Sequence, residues 1–392
     1  MNLFLDRQPI FLPDINACES DLLAIVSGAR FLVIGGAGSI GQAVVKEIFV
    51  RSPAALHVVD INENNLVELV RDLRSSSGYI KGDFRTFCLD SNSDLFDAFF
   101  GLEGPYDYVL NLSALKHVRS EKDPFTLMRL LEVNILNTIR TVNLAASTGA
   151  KKYFCVSTDK AAGPVNVMGA SKRGMELALM SSDQNVAVST ARFANVAFSD
   201  GSLLHGFTQR LHKRQPLSAP RDIKRYFVTQ QDAGHLCLMS CLLGANRDIF
   251  FPKEGDKMTL LPLHEIALEF LEFNGYKPIE CGSEDEARVR TDELIAKKQW
   301  PCFFFDSDTT GEKPFEEFYL EGNEIDWDRF QTIGVIRHEA TDVSDTITTF
   351  VERLGELRSA GSWTKEHLVE LIGVLVPELS HVETGRNLDN RM

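Results

Sequence analysis

Several familiar signals are missing from this sequence. It has no run of about eighteen apolar residues, and no basic-then-apolar leader opens it. A soluble, cytoplasmic protein that makes no membrane contact is therefore expected. Cysteines are few: seven stand at positions 18, 88, 155, 237, 241, 281 and 302, an odd number with no CxxC spacing. Cys237 and Cys241 lie one helical turn apart, but no His or Cys cluster joins them. They read as small buried hydrophobes in a reducing compartment, and no metal site is expected. Excess basic charge is also absent. With 41 Lys and Arg against 55 Asp and Glu, the formal charge is -14. That balance argues against nucleic acid or a membrane surface as partner, while leaving room for a local basic pocket that takes a small anion. There are no internal repeats and no low-complexity tract. What remains is 392 residues, 44% hydrophobic and 24% charged, enough for one large α/β unit and a smaller one.

Residues 1–28 read as an N-terminal arm broken by Pro9 and Pro13, with helical spacing from Ala17 to Val26. The apolar run Arg30 to Ile34 leads straight into Gly35-Gly36-Ala37-Gly38-Ser39-Ile40-Gly41, and a helical stretch follows. Glycines at 35, 38 and 41 let backbone N–H groups and a helix N-terminus approach a pyrophosphate, with Ser39 and Ile40 in the first turn. A second apolar run ends in Asp60, where a carboxylate takes the ribose hydroxyls of NAD and repels the 2′-phosphate of NADP. A helix over 62–77 and a strand over 84–89 follow. Asp90 closes that strand, either against an adenine or as a solvated loop acid. A fourth strand, Tyr106 to Leu112, runs into Ser113 and Ala114, small enough for the cofactor to come close. Lys116 and His117 follow at the mouth of the site. A single helix is expected over 124–147, with Asn134 as a satisfied buried polar group.

The densest chemistry comes after the strand that starts at Tyr153. Ser157-Thr158-Asp159-Lys160-Ala161 places a hydroxyl, a carboxylate and an amine side by side at a strand end, the position where α/β proteins carry chemistry. Val167 to Leu179 then reads as a helix in which Met168 and Lys172, four apart, share one face. Lys172 is expected to reach back to the nicotinamide ribose, whereas Met168 packs. Further on, helices are expected over 230–243 and 263–274 and a buried strand over 300–305. A charged surface loop is expected over 282–290. Two tail helices, over 341–357 and 363–379, would dock on the body or on another subunit, with a frayed stretch over 380–392.

Gly35-x-x-Gly38-x-x-Gly41, Leu115-Lys116-His117-Val118, Ser157 to Ala161 and Asn166 to Arg173 together resemble the UDP-N-acetylglucosamine 4,6-dehydratase group of polysaccharide-biosynthesis proteins, in the extended short-chain dehydrogenase/reductase superfamily. Ala191 to Val196, Arg225-Tyr226-Phe227 and Gly311 to Glu317 resemble further motifs of the group, so the similarity spans about residues 28–330. It departs at Met168, where the superfamily usually has Tyr and a subset of these dehydratases has Met. It departs again at Ala162-Gly163-Pro164, where an Asn often precedes the Pro. No membrane-spanning preface like that of the large members is expected, and the sequence runs some sixty residues past the last motif.

The resemblance implies a Rossmann-type doubly wound parallel sheet, a smaller C-terminal substrate-binding α/β domain and a helical tail. The expected divisions are an arm over 1–28, an NAD-binding core over 29–195 to which later segments return, a nucleotide-sugar region over 196–335 and an extension over 336–392. It implies a homo-oligomeric lyase with tightly bound, recycled NAD, converting UDP-N-acetylglucosamine to a 4-keto-6-deoxy product for bacterial surface glycans or nonulosonic acids. In that chemistry the C4 hydride goes to NAD while Thr158 holds the C4 oxygen and Lys172 sets the local field. Lys160, as a neutral amine, removes the C5 proton; protonated Asp159 releases the C6 hydroxyl; hydride returns to C6. Arg192 and Arg225 would clamp the diphosphate, with Lys116, His117 and Asn195 as further sugar-nucleotide contacts. A structural ion pair is an open alternative for Arg192. An epimerase, a ketoreductase or a non-catalytic NAD-binding sensor could use the same scaffold.

Overall fold

The computed structural model describes residues 8–181, 185–255, 258–383 and 385. The arm forms a helix, α1 (Leu12–Val26), that opens on Pro13 in its first turn. Proline is tolerated there because the first N–H groups have no intrahelical partner, so Pro13 starts the helix rather than breaking it. Then come β1 (Arg30–Ile34), α2 (Ser39–Phe49), β2 (Ala55–Asp60), α3 (Glu63–Ser76), β3 (Asp83–Cys88), α4 (Asp94–Glu103) and β4 (Tyr108–Asn111).

The stretch expected as one helix over 124–147 is three pieces: α5 (Pro124–Leu131), a π-helical turn at Glu132–Leu136 and α6 (Asn137–Ser147). The wide turn carries Asn134, whose amide donates to Leu115 O and Ser171 Oγ while its oxygen accepts from Leu115 N. Those bonds stitch the segment after β4 to the central helix, a typical reason for a local π-bulge.

β5 (Lys152–Thr158), α7 (Val167–Met180), β6 (Ala187–Phe193), β7 (Asn195–Val196), α8 (Leu203–His212), β8 (Leu217–Pro220), β9 (Lys224–Arg225), β10 (Phe227–Val228), α9 (Gln230–Leu243) and β11 (Asp248–Pro252) continue the chain. After them come β12 (Leu261–Pro262), α10 (Leu263–Phe273), β13 (Lys277–Glu280), α11 (Glu284–Val289), α12 (Thr291–Ala296), β14 (Gln299–Phe305), β15 (Ile325–Asp326), β16 (Ile333–Arg337), α13 (Ser344–Ala360) and α14 (Lys365–Leu375).

The main sheet has nine strands in the order β15-β16-β11-β6-β5-β4-β1-β2-β3. It is parallel from β3 to β11 and antiparallel at β16 and β15. The central strands are mostly apolar and buried along nearly their whole length, as parallel strands covered by helices must be. The order reverses between β1 and β4, and that switch point opens the crevice in which α/β sheets bind ligands. A second apolar cluster, built from α8, α10 and the three-stranded sheet β13-β14-β8, forms the smaller unit.

One expectation is corrected, and of the two docking alternatives for the tail the body is the one occupied. The charged 282–290 segment is helix α11, not loop. Ser283 caps it by accepting from Glu286 N, and Arg288 and Arg290 each pair with a carboxylate four residues back, Glu284 and Glu286, so its charges support the helix. The tail helices dock on the body: Phe350, Leu354, Leu368, Ile372 and Leu375 join Leu127, Leu131, Ile135 and Met168 in a third buried cluster. Beyond α14, Ser380 N donates to Pro164 O and Thr310 donates to Glu383, while His381 meets Glu121 at 3.2 Å. Residues 384 and 386–392 of the segment expected to fray lie outside the described residues.

Candidate active site

The glycine loop follows β1 at the switch point. Gly35 adopts φ +72°, and a Cβ there would lie 2.6 Å from Ser113 N. Only glycine lets this turn pass so close to the segment after β4. A Cβ at Gly41 would come within 2.6 Å of Gly36, so the first turn of α2 packs directly on the loop. Gly38 is the N-cap of α2 and carries no capping side chain, while the position of its own Cβ meets only Gly35 O, at 3.6 Å. The N–H groups of Ser39 and Ile40 thus open a helix onto a cradle of bare backbone, which suits a pyrophosphate.

Asp60 ends β2 beside this loop and accepts from Ala37 N at 3.0 Å and from Asn62 N at 2.9 Å. Asp90 lies two residues past β3 and more openly, accepting from Asn92 N in a turn and facing Arg129 at 3.5 Å. Ser113 donates to Asn111 Oδ1 at 2.6 Å, which fixes the backbone that leads to Ala114 and Lys116. Lys116 reaches Ser199 Oγ at 3.5 Å, His117 lies against Gly201, and Asp200 N donates to Ser39 Oγ at 2.9 Å. The glycine loop, the segment after β4 and the turn after β7 therefore meet along one edge of the sheet. The residues present fit a dinucleotide: bare donors at a helix N-terminus, a glycine turn without room for a Cβ, and a carboxylate one strand over.

β5 delivers the other half. Thr158 ends the strand and Asp159–Ala161 forms a 3-10 turn. Three donors converge on Asp159 Oδ1: Thr158 Oγ1 at 2.8 Å, Lys160 N at 2.8 Å and Lys160 Nζ at 3.0 Å. Asp159 is only 2% exposed, so nearly all its solvation comes from this trio. Helix α7 is pressed against the turn, because a Cβ at Gly169 would collide with Lys160 O. Asn166 caps α7 at Gly169 N and donates to Gly311 O. Lys172 lies under the strand end with Nζ donating to Val156 O at 3.0 Å. Burial lowers its ammonium below the usual lysine range, against the opposing pull of Cys155 and Glu176. Met168, 3% exposed, belongs to the apolar cluster beneath α14 and holds Glu121 only through its backbone N–H. Its thioether offers packing.

Both arginines expected at a diphosphate have partners within the chain. Arg192 donates bidentately to Glu176 at 2.9 and 2.7 Å and to Phe318 O at 2.8 Å, the ion pair left open as its alternative. Burial opposes a charge on Glu176, yet Arg192 and Arg173 overcome it and hold the carboxyl down to about 2. Arg225 donates to the carbonyls of Lys224, Lys313 and Pro314, and its other nitrogen faces Glu312 at 3.5 Å and Glu316 at 3.8 Å. It fastens the 312–316 loop over the site. Asn195 sits in β7, its N–H bonded to Tyr226 O.

Sequence reasoning gave no role to Glu316 or Glu121. Glu316 is 3% exposed and lies 3.7 Å from Lys160 Nζ; its only sequence signal was membership of the Gly311 to Glu317 motif. Glu121, 4% exposed, links Met168 N to His381. Among the described residues, no three His, Cys, Asp or Glu side chains cluster as a metal ion requires, and no helix is long and apolar enough to cross a membrane.

The fold is thus a doubly wound α/β sheet with an acid, an amine and a hydroxyl gathered at its carboxyl edge. The profile of the family described as polysaccharide biosynthesis protein matches residues 31–291, and the chain belongs to that family. An uncharacterized membrane protein of Methanocaldococcus jannaschii is 33% identical over 309 residues, covering 77% of this chain and 83% of its own length. The capsular polysaccharide biosynthesis protein CapD of Staphylococcus aureus is 27% identical over 286 residues, covering 71% of this chain but 46% of itself, so this chain spans about half of that relative. Among solved structures, the dTDP-glucose 4,6-dehydratase DesIV of Streptomyces venezuelae, with NAD bound, superposes with TM-score 0.56 at 19% identity over 74% of this chain and 87% of its own. A UDP-N-acetylglucosamine 4-epimerase of Methanobrevibacter ruminantium does so with TM-score 0.56 at 13% identity over 77% and 94%. Both share the fold.

Proposed function

We propose that this chain is a nucleotide-sugar 4,6-dehydratase acting on UDP-N-acetylglucosamine, with a recycled nicotinamide dinucleotide, in bacterial surface-glycan or nonulosonic acid synthesis. The observation that carries the reading is the Thr158–Asp159–Lys160 constellation, with hydroxyl, carboxylate and amine bonded at 2.8 to 3.0 Å, two strands along the same sheet from the strand that carries the glycine loop. The family, and the relatives named for polysaccharide biosynthesis, support it. Glycines 35, 38 and 41, Ser39, Ile40, Asp60, Ser113, Ala114 and Lys172 would hold the dinucleotide, with Asp60 favouring NAD over NADP and Asp90 at its adenine end. When bound, that group supplies the hydride acceptor for C4 and the donor for C6.

This chain's own residues handle the protons. Thr158 Oγ1 takes the C4 hydroxyl proton as C4 is oxidised and passes its own to Asp159 Oδ1, 2.8 Å away. This relay stands in for the tyrosine that Met168 replaces. Lys160 removes the C5 proton, acidified by the new ketone. Asp159 then gives the relayed proton to the departing C6 hydroxyl, which leaves as water, and Lys160 returns a proton to C5. Each proton that enters the relay leaves it, so the site resets without net redox change. Lys116, His117 and Asn195 line the mouth toward the sugar nucleotide, and Arg225 holds the loop that closes it.

The test is proton NMR of UDP-N-acetylglucosamine incubated in deuterated water. The reading requires a 4-keto-6-deoxy product labelled at C5, and its loss in Lys160→Ala by at least about a hundredfold, the scale of general-base catalysis. The epimerase reading draws on UDP-glucose 4-epimerase relatives such as that of Rickettsia bellii, 29% identical over 229 residues. It requires inversion at C4 with no deuterium at C5.

A further inference from the structure

Lys160 can act as a base only after it has lost its ammonium proton, and the carboxylate bonded to it works against that loss. Asp159 Oδ1 accepts from Nζ at 3.0 Å and so stabilises the charged amine. A second carboxyl faces the same nitrogen from the 312–316 loop, Glu316 Oε1 at 3.7 Å. We propose that Glu316 is a positioning residue that acts through Lys160, taking the proton from its ammonium so that a neutral amine faces the sugar. The inference rests on the dehydratase reading above.

In the step, an N–H bond of Lys160 breaks and an O–H bond forms on Glu316, converting an ion pair into a neutral pair. No oxidant or other reactant is needed. The separation is somewhat longer than a hydrogen bond, as catalytic contacts often are before substrate closes a site. Glu316 suits the role because of where it lies. It is 3% exposed, whereas the acids of exposed loops exchange protons with water. Burial raises its carboxyl above the usual range, and Asp159 raises it further, while Lys160, Arg225 and Lys313 oppose. Arg225, 3.8 Å away, also meets Glu312, and its NH1 is occupied by the carbonyls of Lys313 and Pro314. Low dielectric favours the neutral over the charged pair. The pair shares one proton, so the fraction of neutral amine stays constant across neutral pH. An isolated lysine would instead gain tenfold per pH unit.

Two measurements on the full chain test this. The first needs no substrate: labelling of Lys160 by acetic anhydride from pH 6 to 9, read by peptide mass spectrometry. Wild type is expected to label at a rate nearly independent of pH, and Glu316→Gln at a rate rising about tenfold per unit. A wild-type rate that climbs with that slope overturns the proposal by itself, even if the variant does not fold. The second is C5 deuterium exchange with UDP-N-acetylglucosamine. Glu316→Gln is expected to lose about ten- to a hundredfold at pH 7 and to regain it with rising pH, while Glu316→Asp keeps a flat profile. A residue that merely braced the loop would lower the rate without changing the slope, and a Glu316→Gln enzyme as fast as wild type with a flat profile also overturns the proposal. Lys160→Ala separates the two failures. Exchange that persists in Lys160→Ala sinks the dehydratase reading, whereas exchange lost there but unaltered in Glu316→Gln sinks only the role of Glu316.

Discussion

At Arg192 two roles compete for one guanidinium, and geometry decides between them. Its three bonds go to Glu176 and Phe318 O, and Glu176 also accepts from Ser157 at 2.7 Å. The pair lies directly under the residue before Thr158, so it braces the turn that carries the chemistry. Removing one partner of a buried pair leaves the other charge unsolvated, which costs about 3–5 kcal/mol. Arg192→Met is therefore expected to lower the unfolding free energy by roughly that amount in urea, and Glu176→Gln combined with Arg192→Met to recover much of it. A direct diphosphate contact would show the reverse pattern, a raised KM with unchanged stability. The same residues show what a sequence can yield. Asp159 and Lys160 are neighbours in the chain, and their joint chemistry is legible because strand and turn fix both at once. Glu176 with Arg192, and Glu316 with Lys160, are brought together only by the packed sheet, and no local pattern encodes which acid meets which base.

Elements with strong periodicity were legible, and those stabilised by exceptions were not. The parallel strands announced themselves as short apolar runs, and helix α9 as Gln230 to Leu243. The π-helical turn around Asn134 was hidden because its cause, the bonds to Leu115 and Ser171, lies outside the helix. The tail hairpin was legible as two helices but not in its docking site, which depends on a gap opposite it. Gly174 in α7 supplies that gap: a Cβ there would lie 2.9 Å from Leu375 and 3.1 Å from Ile135. A large side chain at this point overpacks the seam by about 1–3 kcal/mol. Gly174→Leu is expected to lift α14 from α7, so that trypsin cuts after Arg358 and after Lys365 at a rate well above wild type while the sheet stays folded. Equal cleavage of the two proteins would show that the hairpin is held elsewhere, through Arg173–Glu378 and the strap at residues 380–383.

Across the whole molecule, an acidic chain holds its most demanding charges in the interior under one edge of the sheet, and this gives its stability a pH dependence of predictable sign. Glu176 is held down to about 2 in the folded state, against an unperturbed value of 4.5, because burial is overcome by Arg192, Arg173 and Ser157. A group depressed on folding contributes in full above its unfolded value and loses that contribution as pH falls toward its folded value. From pH 7 to pH 3 this one carboxyl should withdraw about 2 kcal/mol. Glu316 runs the other way: raised by burial, it favours the fold at low pH and weighs against it as pH rises through its folded value. It therefore cannot supply the acid-side loss. Urea unfolding of wild type and Glu176→Gln at both pH values separates the two. Glu176→Gln should start less stable at pH 7, with Arg192 left unpaired, yet lose less on acidification, so that the two curves converge toward pH 3. Parallel curves would mean that the acid sensitivity resides in other depressed carboxyls, such as Glu47, Asp83 and Asp107, and not in the pair beneath the site.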